Sequence, residues 1–351
     1  MKIFKVRNCC EALPKVVEFL SSCGRQEDSR NGPVLVAPTP VMTIYSYPTE
    51  KVLFSGLRDA NPFFHIMEAM WMLNGNNDAR FLDHYVKDFS ERFAEPSSTT
   101  RRRIHGAYGH RWRSKFGFDQ LKEITDRLKD DPLDRQCVLQ MWDAQWEDGG
   151  SDDLTGKWRE RPCNTHVYFR INDGKLDMTT MARSHDALFG AVGANIVHFG
   201  FLQEYLAGGI GVPVGVFYQY SNNYHMYLDV YNKYLNKSQG DDDLRYKELY
   251  DNRYATQDAL HIPLVSHPET FDRELMDLID AIDCVQNDRL IPLDSKSPKM
   301  NGFLWSTVLE MSIVHKTYKT KGVEAALHCV ANIEDKIWQL CAKEWLERRV
   351  K

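Results

Sequence analysis

The chain has 351 residues, 43% of them hydrophobic and 26% charged, with a formal net charge of −5. This is the composition of an ordinary globular protein with enough apolar material for one large core or two moderate ones. The acidic balance argues against a dedicated nucleic-acid binder, no stretch is apolar for long enough to span a bilayer, and MKIFKVRNCCEALPK lacks the apolar segment of a secretory signal, so a cytoplasmic location is expected.

The eight cysteines, Cys9, Cys10, Cys23, Cys137, Cys163, Cys284, Cys329 and Cys341, form no CxxC pair and no metal-ligand spacing with histidine, so most are expected to be buried, reduced thiols. The first strong element is a helix: Asn61 can cap it, Pro62 suits its first turn, and FFHIMEAMWML runs to a stop at Asn74-Gly75. Glu68 lies within it, one turn from Phe64, Trp71 and Met72, so this carboxylate needs a partner or a raised pKa and becomes an acid–base candidate. The run Arg101, Arg102, Arg103, near Pro96 and Ser97, reads as a solvated loop.

VLQMW at 138–142 reads as a strand, and THVYFRI, then Asn172-Asp173-Gly174, then KLDMTTM as a hairpin. ARSHDALFGAVGAN reads as a polar, glycine-bearing loop leading into the apolar helix NIVHFGFLQEYLA, closed by Gly208-Gly209. The strongest shift in composition comes at KSQGDDDLRYKE. It divides the chain into a catalytic core, 1–236, and a mainly helical C-terminal extension, 237–351, packed on that core; residues 270–285 and 302–347 carry helical apolar periodicity. Cys163 in RPCNT follows a proline at the head of a strand, with Arg161 and Arg183-Ser184 nearby in the pattern, so cations are expected to gather round the thiol and favour its thiolate.

Seven segments in order resemble the thymidylate synthase family over roughly residues 28–230: DSRNG, EAMWMLNGN, HGAYGHRWR, DPLDRQCVLQMW, PCN, RSHDALFG followed by AN, and NNYHMY. The resemblance implies an α+β fold with a mixed sheet flanked by helices, and a homodimer that acts on a pyrimidine nucleoside monophosphate with 5,10-methylenetetrahydrofolate. It further implies that Cys163 is the nucleophile adding to C6 of the pyrimidine, and that Arg30, Arg183 and Ser184 hold the phosphate, with Arg135 reaching it from the other subunit. Asn195 matches the residue reading the base edge, and His225 and Tyr227 the pair on the sugar 3′-hydroxyl. Glu68, Tyr108, Asn164 and Asp186 match groups of the catalytic site, while Glu68, Phe89, Asp186 and Gly190 fall where folate is placed. The residue types suit the task. C5 is a feeble carbon nucleophile until a thiolate adds at C6 and turns the ring into an enolate, which then needs hydrogen-bond donors and a base for the C5 proton.

The departures from the family pattern point to a particular branch. In HYVKDFSERFAE, Phe89 stands where a tryptophan shields the exocyclic methylene; PCN replaces PCH; Arg135-Gln136 replaces a pair of arginines; and AKEWLERRVK is a charged helix unsuited to sealing a folate site. Weaker exclusion of water favours capture of the methylene by water over hydride transfer, and hence 5-hydroxymethyl-dUMP as product. Asn195 can donate and accept and so suits the uracil edge, but GAVGAN is one residue longer than the family spacing, which leaves cytosine open. Thymidylate synthase itself and a dCMP or CMP hydroxymethylase are the competing activities. An inactive nucleotide- or RNA-binding relative would have no need of Cys163, Glu68, Asn195 and Tyr227 together.

Overall fold

The computed structural model describes residues 1–96, 102–144, 153–156, 158, 160–237, 254, 262–291 and 301–350. Its centre is an eight-stranded mixed sheet, the α+β architecture expected, ordered β1 (Lys2–Val6), β4 (Val41–Tyr45), β8 (Val214–Tyr227), β7 (Lys175–Asp186), β6 (Asn164–Asn172) and β5 (Val138–Gln140). The β2–β3 hairpin (Arg25–Ser29 and Gly32–Val36) pairs with the far end of β8, Val36 opposite His225. β7 and β8 run parallel while β6 runs antiparallel to β7. The last residues of β7 and β8 and the first of β6 therefore share one edge of the sheet.

Alternation along the strands separates two faces. Val167, Phe169, Met178, Thr180 and Phe217 are buried beneath α7 (Ile196–Ile210), whose Phe199 packs on Phe217 at 6.4 Å. This helix is apolar nearly all round because it is enclosed on every side; each large side chain it buries is worth roughly 1.5–3 kcal/mol. The opposite face carries two cross-strand rows, Ile44, Tyr218, Thr179 and Tyr168, and Met42, Tyr220, Met181 and His166, which remain half-buried or exposed.

Local signals place several elements as expected. Asn61 caps α2 (Pro62–Leu73) by accepting the Phe64 N–H at 3.1 Å, and the helix ends at Asn74 with Gly75 left-handed. Asp173 and Gly174, with φ of 49° and 70°, form the two-residue hairpin turn. Three expectations need correction. β5 stops at Gln140, because Met141 and Trp142 both donate to the single carbonyl of Thr165 and leave the ladder. The polar loop is no loop: β7 runs on to Asp186, and Ala187–Asn195 winds as a π-helix. That wider winding absorbs the extra residue without breaking the chain's entry into α7. Finally α7 passes through Gly208-Gly209 and ends at left-handed Gly211, since Gly208 is a packing position where a Cβ would meet Val265 at 2.7 Å.

The C-terminal region is helical, with α8 (Leu228–Lys237) before the composition shift and α9 (Pro268–Gln286), α10 (Leu309–Lys321), α11 (Val323–Cys329) and α12 (Lys336–Glu347) after it. It closes over α2: Phe63 packs on His315 at 5.3 Å and on Trp345 at 5.4 Å, and one hydrophobic core runs through both parts of the chain. Beyond α12, Arg348 and Arg349 reach Asp59 at 3.1 and 2.9 Å. The boundary segment after residue 237, and Ser97 and Arg101 of the basic run, lie outside the described residues. Among the described residues no helix is long and apolar enough to cross a membrane.

Candidate active site

Cys163 directly precedes β6, and the ladder ties it to β7: the Arg183 N–H donates to the Cys163 carbonyl at 2.9 Å. The Arg183 guanidinium holds the same turn from the side, donating to the carbonyls of Pro162 at 2.9 Å and Arg161 at 3.2 Å. From α5 (Tyr108–Arg113), the Tyr108 hydroxyl accepts three hydrogen bonds, from the N–H groups of Cys163 (3.2 Å) and Asn164 (3.1 Å) and from Asn164 Nδ2 (3.1 Å). Two glycines allow this approach. A Cβ on Gly106 would lie 3.0 Å from backbone atoms of Arg161 and Pro162, and one on Gly109 would fall 2.0 Å from the Met72 carbonyl oxygen.

The turn that carries Cys163 separates two chambers. A polar one of about 720 Å³ is lined by Arg30, Arg183, Ser184, Asp186, His225 and Tyr227, and an apolar one of about 710 Å³ by Glu68, Trp71, Phe89, Tyr108, Gly190 and Asn195, among others. Cys163 and Tyr227 border both. Arg30 pairs with Glu160 at 3.3 Å in an exposed bridge of the kind that contributes little to stability. His225 Nδ1 meets Asn223 Oδ1 at 2.9 Å, and Asn31 Nδ2 donates to the Tyr227 hydroxyl at 3.4 Å. The apolar chamber joins flat aromatic walls to a carboxylate that can accept N–H donors, an arrangement that fits a planar heteroaromatic ring such as a pterin. Asp59, which holds the C-terminal arginines, lines this chamber, so the end of the chain is moored at its wall.

Glu68 faces His198 on α7, whose Nε2 lies 2.9 Å from Glu68 Oε2 but out of hydrogen-bond alignment. Asn195 is held by His185, its Nδ2 2.7 Å from His185 Nε2, while His185 Nδ1 meets Ser221 Oγ at 2.9 Å. Gly190 permits this packing, since a Cβ there would stand 3.1 Å from the His185 ring. Burial lowers the His185 pKa to about 3, so this imidazole is neutral. Asp186 caps the π-helix, accepting the N–H groups of Leu188 (2.7 Å) and Phe189 (3.1 Å).

The expected thiolate-favouring environment is not what the structure provides. Burial pushes the Cys163 thiol above its ordinary value, and although Arg183 and Arg30 pull it down, Glu160 and Asp186 push it up again. The Arg161 guanidinium points elsewhere, donating to the carbonyls of Leu154 and Gly156. The balance of these influences favours the thiol form of Cys163. Of the residues singled out in the sequence, Asn164 is fully buried beneath Tyr108 and lies off both chamber walls, and Arg135 is exposed before β5 and borders neither chamber. His185 and His198 escaped notice. The signal that could have found His198 is an ionisable residue one turn after Asn195 on a mostly apolar helix.

Residues 16–247 match the family model described as thymidylate synthase. The chain is 39% identical to a deoxyuridylate hydroxymethyltransferase of Pseudomonas phage M6 over 99% of this chain and 95% of that protein. It is 32% identical to a deoxyuridylate hydroxymethyltransferase of Bacillus phage SP01 over 55% of this chain and 50% of the other. A putative thymidylate synthase of Methanothermobacter thermautotrophicus is 30% identical over 64% of this chain and 92% of its own length.

Proposed function

The chain belongs to the thymidylate synthase family, and from that premise we propose that it converts dUMP to 5-hydroxymethyl-dUMP, with 5,10-methylenetetrahydrofolate as one-carbon donor. The observation that carries this reading is the position of Cys163 on the border between an arginine-lined polar chamber and an apolar one. The nucleotide phosphate belongs with Arg30, Arg183 and Ser184, the sugar beside His225 and Tyr227, and the uracil edge against Asn195. The Cys163 thiol adds to C6 and loses its proton, making C5 nucleophilic, and Tyr108 keeps the turn that carries the sulfur in place. Folate supplies a carbon at the oxidation level of formaldehyde. Arginines on the phosphate hold the ring still through contacts remote from the reacting carbon. Water as the final acceptor is supported by Phe89 in the chamber wall and by the activity for which the two phage relatives are named.

The fate of the folate and of solvent oxygen tests this. In water labelled with oxygen-18, one labelled oxygen is expected on the nucleotide product, together with tetrahydrofolate. Stoichiometric dihydrofolate and an unlabelled methyl product would sink the reading, and label on dCMP in place of dUMP would overturn the assignment of Asn195 to uracil.

The working unit in this reading is a homodimer built on the open sheet face, where Tyr168 and Val138 are 45% and 40% exposed beside Tyr218, Tyr220 and Met181. Arg135, exposed and away from the chambers of its own subunit, then reaches the partner's phosphate. Mixing Cys163→Ala with Arg135→Ala subunits is expected to restore roughly a quarter of wild-type activity, because half the dimers are hybrids and each hybrid has one intact site. A fully active monomer would contradict it.

A further inference from the structure

Resting on the hydroxymethylation reading, we propose that His198 is the base that takes the proton of the water attacking the exocyclic methylene, with Glu68 balancing the charge it acquires. Three observations meet at this residue. His198 is 3% exposed and borders the apolar chamber, yet both its nitrogens lack an aligned hydrogen-bond partner among the described residues. Its Nε2 is 2.9 Å from Glu68 Oε2, out of hydrogen-bond alignment, so a carboxylate lies beside the ring while Nδ1 is left for a group in the chamber. A buried imidazole left in that condition costs free energy unless something in the chamber engages it.

The third observation is its place relative to the base. Asn195 and His198 are three residues apart at the start of α7 and border the same chamber. One helical turn, about 5 Å, therefore separates the group reading the C4 edge of the ring from the imidazole, which brings the latter to the side of C5 and its substituent. Glu68 approaches from the facing helix α2. Of the other walls here, Trp71, Met72 and Phe64 cannot accept a proton, and His65, which also lines the chamber, is made a poor base by its burial.

The step starts from the nucleotide joined to Cys163 through C6 and bearing a methylene double-bonded to C5. The water oxygen bonds to the methylene carbon, the electron pair of that double bond moves through C5 and C4 onto the C4 oxygen, and the water's proton passes to His198. The enolate then collapses, C5=C6 re-forms, and the C6–S bond breaks to release the Cys163 thiolate. No oxidant or reductant is consumed.

His198→Asn and His198→Ala test this in the full-length protein, using dUMP and methylenetetrahydrofolate. Three quantities are read: dUMP affinity, release of hydrogen from C5, and formation of 5-hydroxymethyl-dUMP. The expected result is near-normal affinity, C5–H release within about 3-fold of wild type, and product formation reduced on the order of 100-fold. A small thiol such as 2-mercaptoethanol, which attacks without a base, should then capture the methylene and restore turnover as a thioether. Parallel loss of C5–H release and product, unchanged product formation, or loss of dUMP binding in both variants would each overturn the proposal. If wild-type protein yields thymidylate and no labelled product, the reading of the overall reaction fails, separately from any result on His198.

Discussion

Replacing Cys163 with alanine is expected to lower kcat by on the order of 10⁴-fold or more while leaving the affinity for dUMP within a few-fold of wild type. The asymmetry follows from the two chambers. The proposed phosphate and sugar contacts, Arg183, Ser184, His225 and Tyr227 on β7 and β8 and Arg30 in the β2–β3 turn, are placed without the sulfur, and the Cys163 N–H and carbonyl keep their partners in the variant. Only the covalent route disappears. Calorimetric titration with dUMP gives the affinity, and release of hydrogen from C5 gives the early chemistry; release at near wild-type rate would remove Cys163 from the mechanism.

The largest expected effect on stability lies one layer behind Cys163. Arg111, fully buried on α5, donates to both carboxylate oxygens of Asp153 at 2.6 and 2.9 Å and to the Met141 carbonyl at 2.6 Å, while His105 Nε2 meets Asp153 Oδ1 at 2.7 Å. Asp153 also accepts the Asp143 N–H at 2.8 Å. The cluster thus ties α5, the chain beyond β5 and the segment leading to Cys163. Arg111→Met leaves a fully buried carboxylate without its main partner and is expected to cost roughly 3–5 kcal/mol, measured by denaturant unfolding. The double variant Arg111→Met with Asp153→Leu should recover part of this loss, because the stranded charge has gone too.

The same cluster sets a pH dependence. Burial pushes the Asp153 carboxyl up, but His105 and Arg111 outweigh it and hold the pKa at about 2, against an ordinary 3.8. A depressed carboxylate contributes stability that is complete above the unfolded value and lost as pH falls through the folded one. About 2 kcal/mol should therefore disappear between roughly pH 4 and pH 2 and be absent from the Asp153→Asn protein. An identical acid limb in wild type and variant would assign the loss to other groups.

The sequence alone determined those features governed by a few neighbouring residues. The Asn61 cap, the Asp173-Gly174 turn and the alternation through β6 and β7 depend on local hydrogen bonding and backbone sterics, so they were legible without partners. The ordered motifs likewise identified Cys163, Glu68, Asn195 and Tyr227, and the structure brings all four to one chamber. Only the tertiary structure decided what surrounds them. The thiol's raised pKa follows from burial, which no nearby arginine in the sequence could reveal, and the π-helix at Ala187–Asn195 is held partly by Arg58 donating to the Leu188 carbonyl at 2.9 Å from far away in the chain. His198 reads as core filler until α2 and α7 pack and bring Glu68 against it. Burial and charge pairing are properties of contacts between distant segments, and those contacts exist only after the chain has folded.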